Sequence, residues 1–332
     1  MDQRSAIAPP RDWFLWLIGG RILLCWSAMN RPSDHEVRLE RMLLSLDGLS
    51  VGDAFGERFF VHPDRVNQLI DSRVVPEAPW HYTDDTVMAL GIVEVLRETG
   101  RIDQDHLARV FARRYAAEPD RGYGGGAHGI LQDIGRGIPW KVTAGAVFGG
   151  TGSMGNGGGM RSAPLGAYFA DDLDEVVRQA KASAEVTHAH PDGQAGAVAV
   201  AIAAAVAWHM GTTGERSGEK LLETVFRYTP DGPTKKGLET VMRLPFIEDS
   251  RSVADLVGAG YRVLSFDTVP FAIWCASKHL DDYENALWTT VRGLGDRDTT
   301  CAMAGGIVAL SAGRESIPAT WLAAREPLAL ER

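Results

Sequence analysis

Apolar positions in this chain recur at helical spacing rather than in the alternation of strands. Val37, Leu39, Met42, Leu43, Leu46 and Leu49 follow a helix-like pattern that runs into the small-residue stretch GLSVGDAFG at 48–56. Residues 85–97 are apolar on most faces and predict a buried helix. Residues 104–115 alternate apolar and basic positions at i, i+3 and i+4, and 195–210 are so rich in alanine and valine that they predict a helix packed on several sides. Further helices are expected over 221–227, 252–259, 268–278 and 299–312. No segment alternates convincingly, so the pattern predicts an all-α, compact single domain.

Two regions depart from this pattern. Between 122 and 166 glycine becomes frequent and periodicity is lost, with YGGGA at 123–127 and GGTGSMGNGGGMR at 149–161. The flanks, Trp140-Lys141-Val142 and Pro164-Leu165-Gly166, look ordered, so the stretch reads as a ligand loop rather than a linker. Residues 13–26, WFLWLIGGRILLCW, form an apolar run of 14 residues interrupted by Arg21. A spanning helix needs about 20 apolar residues. Arg4 and Arg11 precede the run as in a signal peptide, but the small-residue cleavage pattern is poor. Residues 1–30 are therefore read as an added or misassigned leader, with a start near Met29, and 31–332 as the domain.

Composition narrows the function classes. With 332 residues and 45% hydrophobic content the chain can bury a core, and a net charge of -9 without a basic block disfavours nucleic acid as a partner. Cys25, Cys275 and Cys301 are scattered and form no CxxC pair, which argues against a disulfide scaffold or zinc site and suits a reducing cytoplasm.

The candidate chemistry lies in two distant clusters, Thr83-Asp84-Asp85-Thr86 and Asp296-Arg297-Asp298-Thr299-Thr300, each opening into an apolar helix. One Asp or Thr suffices to cap a helix, and the clusters exceed that need. Asp296 and Asp298 alternate around Arg297, which in an extended segment puts both carboxylates on one side. Four carboxylates with hydroxyls, brought together, suit hard divalent cations such as Mg²⁺ or Mn²⁺ and metal-assisted hydrolysis. The stretch GDAFGE at 52–57 reads either as a glycine-broken helix end capped by Asp53 or as a place of close approach, with Asp53 or Glu57 near the metals. The loop 149–161 has the backbone freedom of a phosphate cradle, with Asn156 and Arg161 as donors, but lacks a P-loop Lys and is equally a flexible surface loop. His188 and His190 stand at i, i+2 without a third zinc ligand nearby, which favours surface or capping roles. Asp171 to Glu175 reads as a solvated helix start.

In this order, the motifs GLSVGDAFG, WHYTDDTVMAL, GNGGGMRSAPLG, the His188 segment and GLGDRDTTCAMAGGIVAL closely resemble the ADP-ribosylglycohydrolase family. The resemblance implies an all-α fold around a cleft with two Mg²⁺ or Mn²⁺ ions, and a glycosidic hydrolase that releases ADP-ribose from an acceptor. The partner it implies is an ADP-ribosyl group, with no nucleic acid or membrane. Carried over, Thr83, Asp84 and Asp85 ligate one metal, Asp298 bridges, and Asp296 and Thr299 serve the second. Asp84, Asp85 and Glu57 become acid–base candidates. Substrate contacts fall to Asp53, Gly125, Gly126, Gly152, Ser153, Met154, Gly155, Asn156, Gly157, Met160 and His188. Two positions depart from the family pattern. Phe60 stands where many members carry a glutamate, leaving Glu57 as its possible replacement, and Met154 stands where some carry an aromatic. The departure at Phe60 keeps open a non-catalytic ADP-ribose binder; a hydrolase of another nucleotide-like glycoside is the other alternative.

Overall fold

The computed structural model describes residues 32–330, together with two short strands, β1 (Leu17–Ile18) and β2 (Arg21–Ile22), paired antiparallel. The rest of the expected leader, Cys25 and Met29 included, lies outside the described residues. Seventeen α-helices make up most of the span 32–330. The first four are α1 (His35–Glu57), α2 (Pro63–Asp71), α3 (Asp84–Thr99) and α4 (Gln104–Ala117). Then come α5 (Gly125–Gly135), α6 (Trp140–Gly150), α7 (Gly157–Met160), α8 (Ala163–Tyr168), α9 (Leu173–Glu185) and α10 (Pro191–Thr213). The chain closes with α11 (Gly218–Tyr228), α12 (Pro233–Val241), α13 (Ser250–Val257), α14 (Ser265–Lys278), α15 (Tyr283–Val291), α16 (Arg297–Ala312) and α17 (Ala319–Ala324). The all-α expectation holds: every predicted helix is present, and the β1–β2 pairing is the only sheet among the described residues.

Local chemistry explains where the long helices begin and end. The Thr83 side chain accepts from the Asp85 N–H to open α3, and Gly100 at φ 68 closes it in the left-handed conformation that glycine tolerates. His190 caps α10, whose first residue is Pro191, and Asp172 caps α9, so the acidic run at 171–175 is indeed a helix start. Asp171 additionally receives Nη1 and Nη2 of buried Arg41, at 3.0 and 2.5 Å.

The centre is α10. It is long and apolar enough, by length and composition, to cross a membrane, yet 78% of its apolar window is buried inside the protein. Around it pack α8, α9, α11, α14 and α16. The most intimate contact, between α1 and α16, is made by backbone. A Cβ on Gly48, Gly52 or Gly56 would lie 2.4, 2.1 or 2.2 Å from the carbonyl oxygen of Gly305, Cys301 or Arg297 respectively. Of the two readings of GDAFGE, close approach holds: α1 ends at Glu57, but its glycines do not break it. GLSVGDAFG lies inside α1, and its i, i+4 glycines let α16 approach along the whole face. Below this seam Phe55 stacks on Trp321 with centroids 4.7 Å apart and meets Trp288 edge-on at 5.0 Å, anchoring α1 to α15 and α17.

The glycine-rich region differs from expectation. Four helices, α5 to α8, fall inside 122–168. Their glycines mask the helical period because several of these turns face open space or a ligand cavity instead of a core. Helices α2, α12, α15 and α17 were also absent from the sequence reading.

Candidate active site

Asp53 projects from α1 one residue after Gly52, so the close seam with α16 carries it deep beneath the start of α3. There its Oδ1 accepts from Thr83 Oγ1 at 2.9 Å, and its Oδ2 from Thr86 Oγ1 and N–H at 2.6 and 3.1 Å. One carboxylate therefore knits the start of α3 to α1. Carboxylate oxygens of Asp53, Asp85 and Asp298 all lie within 4.8 Å of one another, one each from α1, α3 and α16. Thr299 Oγ1 donates to Asp85 Oδ1 at 3.2 Å, while Asp85 Oδ2 and Asp298 Oδ1 are buried with no hydrogen-bond partner.

Three charges at this separation repel by roughly 3 kcal/mol per pair at an effective dielectric near 20. Burial is the main cause of the raised pKa values throughout the group. It lifts Asp53 to about 6 and Asp84 to about 7, with Asp53 adding to the rise at Asp84. Asp85 and Asp298 stand well above the ordinary carboxylate range, from burial first and then from Asp298 and Asp296 respectively. Orphaned buried oxygens, an all-oxygen donor set and mutual repulsion fit a hard divalent cation.

Asp84, Asp85, Asp296, Asp298 and Thr299 line one end of a cavity of about 620 Å³, within the range of about 300–1,000 Å³ common for small-molecule sites. The walls continue through Gly125, Gly126, Gly152 to Gly157, Met160, Arg161 and His188. Nearly every expected site residue therefore meets in one place. The loop 152–157 is pinned, not a flexible surface loop: Asn156 N–H donates to Val263 O at 3.1 Å, and Ser265 N–H to Met154 O at 2.9 Å. Gly152, at φ 76, lies so close to the start of α10 that a Cβ would fall 2.6 Å from His190 N.

Four expected residues have distinctive surroundings. Asp53, expected among substrate contacts, is wholly buried and does not line the cavity; it belongs with the carboxylates. Thr83, expected as a metal ligand, stands behind the cavity wall, its hydroxyl engaged with Asp53 and the Asp85 N–H. The Asn156 side-chain amide donates to Asp296 Oδ2 at 2.6 Å and to Thr268 Oγ1 at 3.2 Å, so it holds an acidic residue rather than facing a ligand freely. Asp296 stands at the N-cap position of α16 without a side-chain capping bond, and Asp298 lies in the first turn, so the two carboxylates are placed by the helix start and not along an extended strand.

Glu57 ends α1 with an exposed side chain outside the cavity lining; partial burial is the largest cause of its raised pKa, with Asp296 adding to it. At Phe60, Arg297 takes up the space: its guanidinium lies 4.6 Å from the exposed ring, and Nη1 donates to Phe59 O at 2.6 Å. Phe148 was missed by sequence reasoning. It lines the cavity, is 63% exposed and has a φ of 54. Its signal was available in an aromatic placed directly before a run of glycines.

Residues 34–331 match the family model described as ADP-ribosylglycohydrolase. The chain is 29% identical to the human protein named ADP-ribosylhydrolase ARH3, the match covering 73% of each chain. It is 30% identical to an uncharacterized protein of Archaeoglobus fulgidus over 83% of this chain and 88% of that one. Identity to the ADP-ribosylarginine hydrolase Tri1 of Serratia proteamaculans is 22%, over 86% and 75%. A solved structure titled ADP-ribosylglycohydrolase-related protein complex shares the fold, with a TM-score of 0.61 at 23% identity over 88% of this chain and 94% of that one.

Proposed function

The chain belongs to the ADP-ribosylglycohydrolase family, and from that premise we propose that it is a dimetal hydrolase that cleaves the glycosidic bond between ADP-ribose and an acceptor. The observation that carries this reading is the convergence of Asp85 and Asp298, at the floor of a nucleotide-sized cavity, with Asp53 buried behind them, two of the cluster's buried oxygens being unpartnered. Asp85 and Asp298, backed by Asp53, would hold one Mg²⁺ or Mn²⁺; Asp84, Asp296 and Thr299 would hold the second. When bound, the ions supply the positive charge that the cluster lacks and Lewis-acid polarisation at the ribose end.

The chain's own residues divide the remaining work. The 152–157 loop and the first turn of α5 present main-chain groups to the diphosphate. Asn156 keeps Asp296 oriented. Asp84 lines the cavity, where its carboxylate can take up and return a proton beside the reacting ribose, as acid–base work requires. In the reaction a water oxygen bonds to C1″ of the ribose while the bond to the acceptor breaks. The water's proton passes to a carboxylate and the leaving acceptor takes one up. Positioning and electrostatic stabilisation of the developing oxocarbenium supply most of the acceleration.

Titration of the protein with ADP-ribose, with and without Mn²⁺, beside a turnover assay on ADP-ribosylated arginine, serine, DNA ends and O-acetyl-ADP-ribose tests the reading. Metal-dependent release of ADP-ribose from at least one substrate is expected. Tight binding without turnover of any of them would favour the non-catalytic binder instead.

A further inference from the structure

One cation in the cavity wall has no carboxylate partner. Arg161 is 1% exposed, yet among the described residues it forms no ion pair. Its Nη2 donates to Thr187 Oγ1 at 2.8 Å and to Ser183 O at 3.3 Å, its guanidinium lies 4.7 Å from the Phe111 ring centroid, and its Nε is buried without a partner. Neutral partners hold a buried charge poorly, so this arrangement points to a purpose in the cavity that Arg161 lines.

The hydrogen bonds define that purpose, because their directions are forced. A guanidinium only donates, so Thr187 Oγ1 accepts from it. That hydroxyl has one proton, and its one other hydrogen bond among the described residues, at 2.8 Å, is to His188 Nδ1. Thr187 therefore donates to Nδ1, and Nδ1 is the ring's acceptor. Burial, reinforced by the Arg161 charge, drives the His188 pKa down to about 3, which keeps the ring neutral. A neutral imidazole whose Nδ1 accepts has its proton on Nε2. Nε2 makes no hydrogen bond among the described residues. It lies against the glycine loop, 3.2 and 3.3 Å from where a Cβ on Gly155 or Gly157 would stand. The opposite tautomer would present a lone pair there and repel an anion.

We propose that Arg161 and Thr187 are positioning residues that lock His188 as its Nε2–H tautomer, so that the ring donates a hydrogen bond to a phosphate oxygen of the bound ligand. The phosphate partner rests on the reading of the cavity as an ADP-ribose site; the lock itself is a property of the ligand-free protein.

The lock is read by long-range ¹H–¹⁵N NMR of the full chain with ¹⁵N-labelled histidine. In the wild type, His188 is expected to show an unprotonated Nδ1 and a protonated Nε2. Thr187→Val removes the hydroxyl at nearly constant shape and should abolish that bias, whereas Thr187→Ser should restore it. By calorimetry, Thr187→Val should bind ADP-ribose about tenfold more weakly, the loss expected for one hydrogen bond to a charged group, with adenosine binding unchanged and Thr187→Ser near wild type. A protonated Nδ1 in the wild type overturns the lock, as does wild-type ADP-ribose affinity in a folded Thr187→Val. A wild type with the expected tautomer that does not bind ADP-ribose overturns the functional reading and the phosphate partner with it.

Discussion

The two ends of the cavity face opposite electrostatic problems. At the floor, Asp53, Asp85 and Asp298 crowd together with too much negative charge and oxygens left unpartnered. At the glycine loop, Arg161 is buried with neutral hydrogen-bond partners, and the carboxylate whose charge it feels is Asp84. The floor is built on three helices whose backbones are fixed by close packing; the loop end is built on irregular backbone pinned by hydrogen bonds. On the proposed function the contrast would orient the ligand, with its hydroxyl-bearing sugar over the carboxylates and its anionic linkage toward the loop.

The sharpest way to break this comparison is at the floor. Asp298→Asn should abolish Mn²⁺ binding, measured by calorimetry or electron paramagnetic resonance, and lower turnover by on the order of 10²–10³-fold or more. A variant that still bound metal and turned over normally would remove Asp298 from the site.

The two ends should also respond to pH with opposite sign. Folded Asp53 and Asp84 titrate at about 6 and 7 against an ordinary 3.8, so the folded state holds more protons between those values. In metal-free protein their contribution to stability therefore falls as pH rises from about 4 to 7. At pH 7, Mn²⁺ at a hundredfold excess over Kd should stabilise the protein by about 2.7 kcal/mol relative to the metal-free form. His188 does the reverse: its folded pKa of about 3 lies below its ordinary 6.5, so its contribution is intact above 6.5 and fades as pH drops toward 3. His188→Gln should flatten this acid limb, a change of up to a few kcal/mol, in urea melts across pH 4–7. An unchanged limb would mean that His188 is not held neutral.

Smaller effects sharpen the structural side. Gly52→Ala would place a Cβ 2.1 Å from Cys301 O, and overpacking of this kind costs about 1–3 kcal/mol; the expected readout is a lower denaturation midpoint with weakened Mn²⁺ affinity. Arg297→Met removes the contacts to Phe59 O and the Phe60 ring and should cost about 1 kcal/mol, seen in the same melts. A larger loss of metal affinity than of stability would show that Arg297 also steadies Asp298.

The floor was legible in the sequence because its residues combine chemistry with helix grammar: Thr83-Asp84-Asp85 and Asp296-Arg297-Asp298 exceed what capping needs, and apolar runs come after each. Asp53 was harder to read. Close approach at 52–57 was one of two readings, but which helix approaches, and that Asp53 lies behind Asp85 and Asp298, depend on a seam between α1 and α16 that no local pattern encodes. The loop end was legible as composition only. That α5 to α8 are helices, that Asn156 turns toward Asp296, and that Arg161 reaches Thr187 are all long-range facts. Short helices such as α2 and α17 bury too few side chains to leave a periodic trace.

The seam between α1 and α16 also bears on how this protein can be altered. Where two helices touch through main-chain atoms, the spacing of Asp53 and Asp298 is set by the absence of side chains at Gly48, Gly52 and Gly56. Selection for new substrates in the laboratory should therefore find almost nothing tolerated along that face. Productive variation should gather instead at the exposed rim, around Phe148, Arg262 and Val263, where a changed side chain leaves the carboxylate cluster undisturbed.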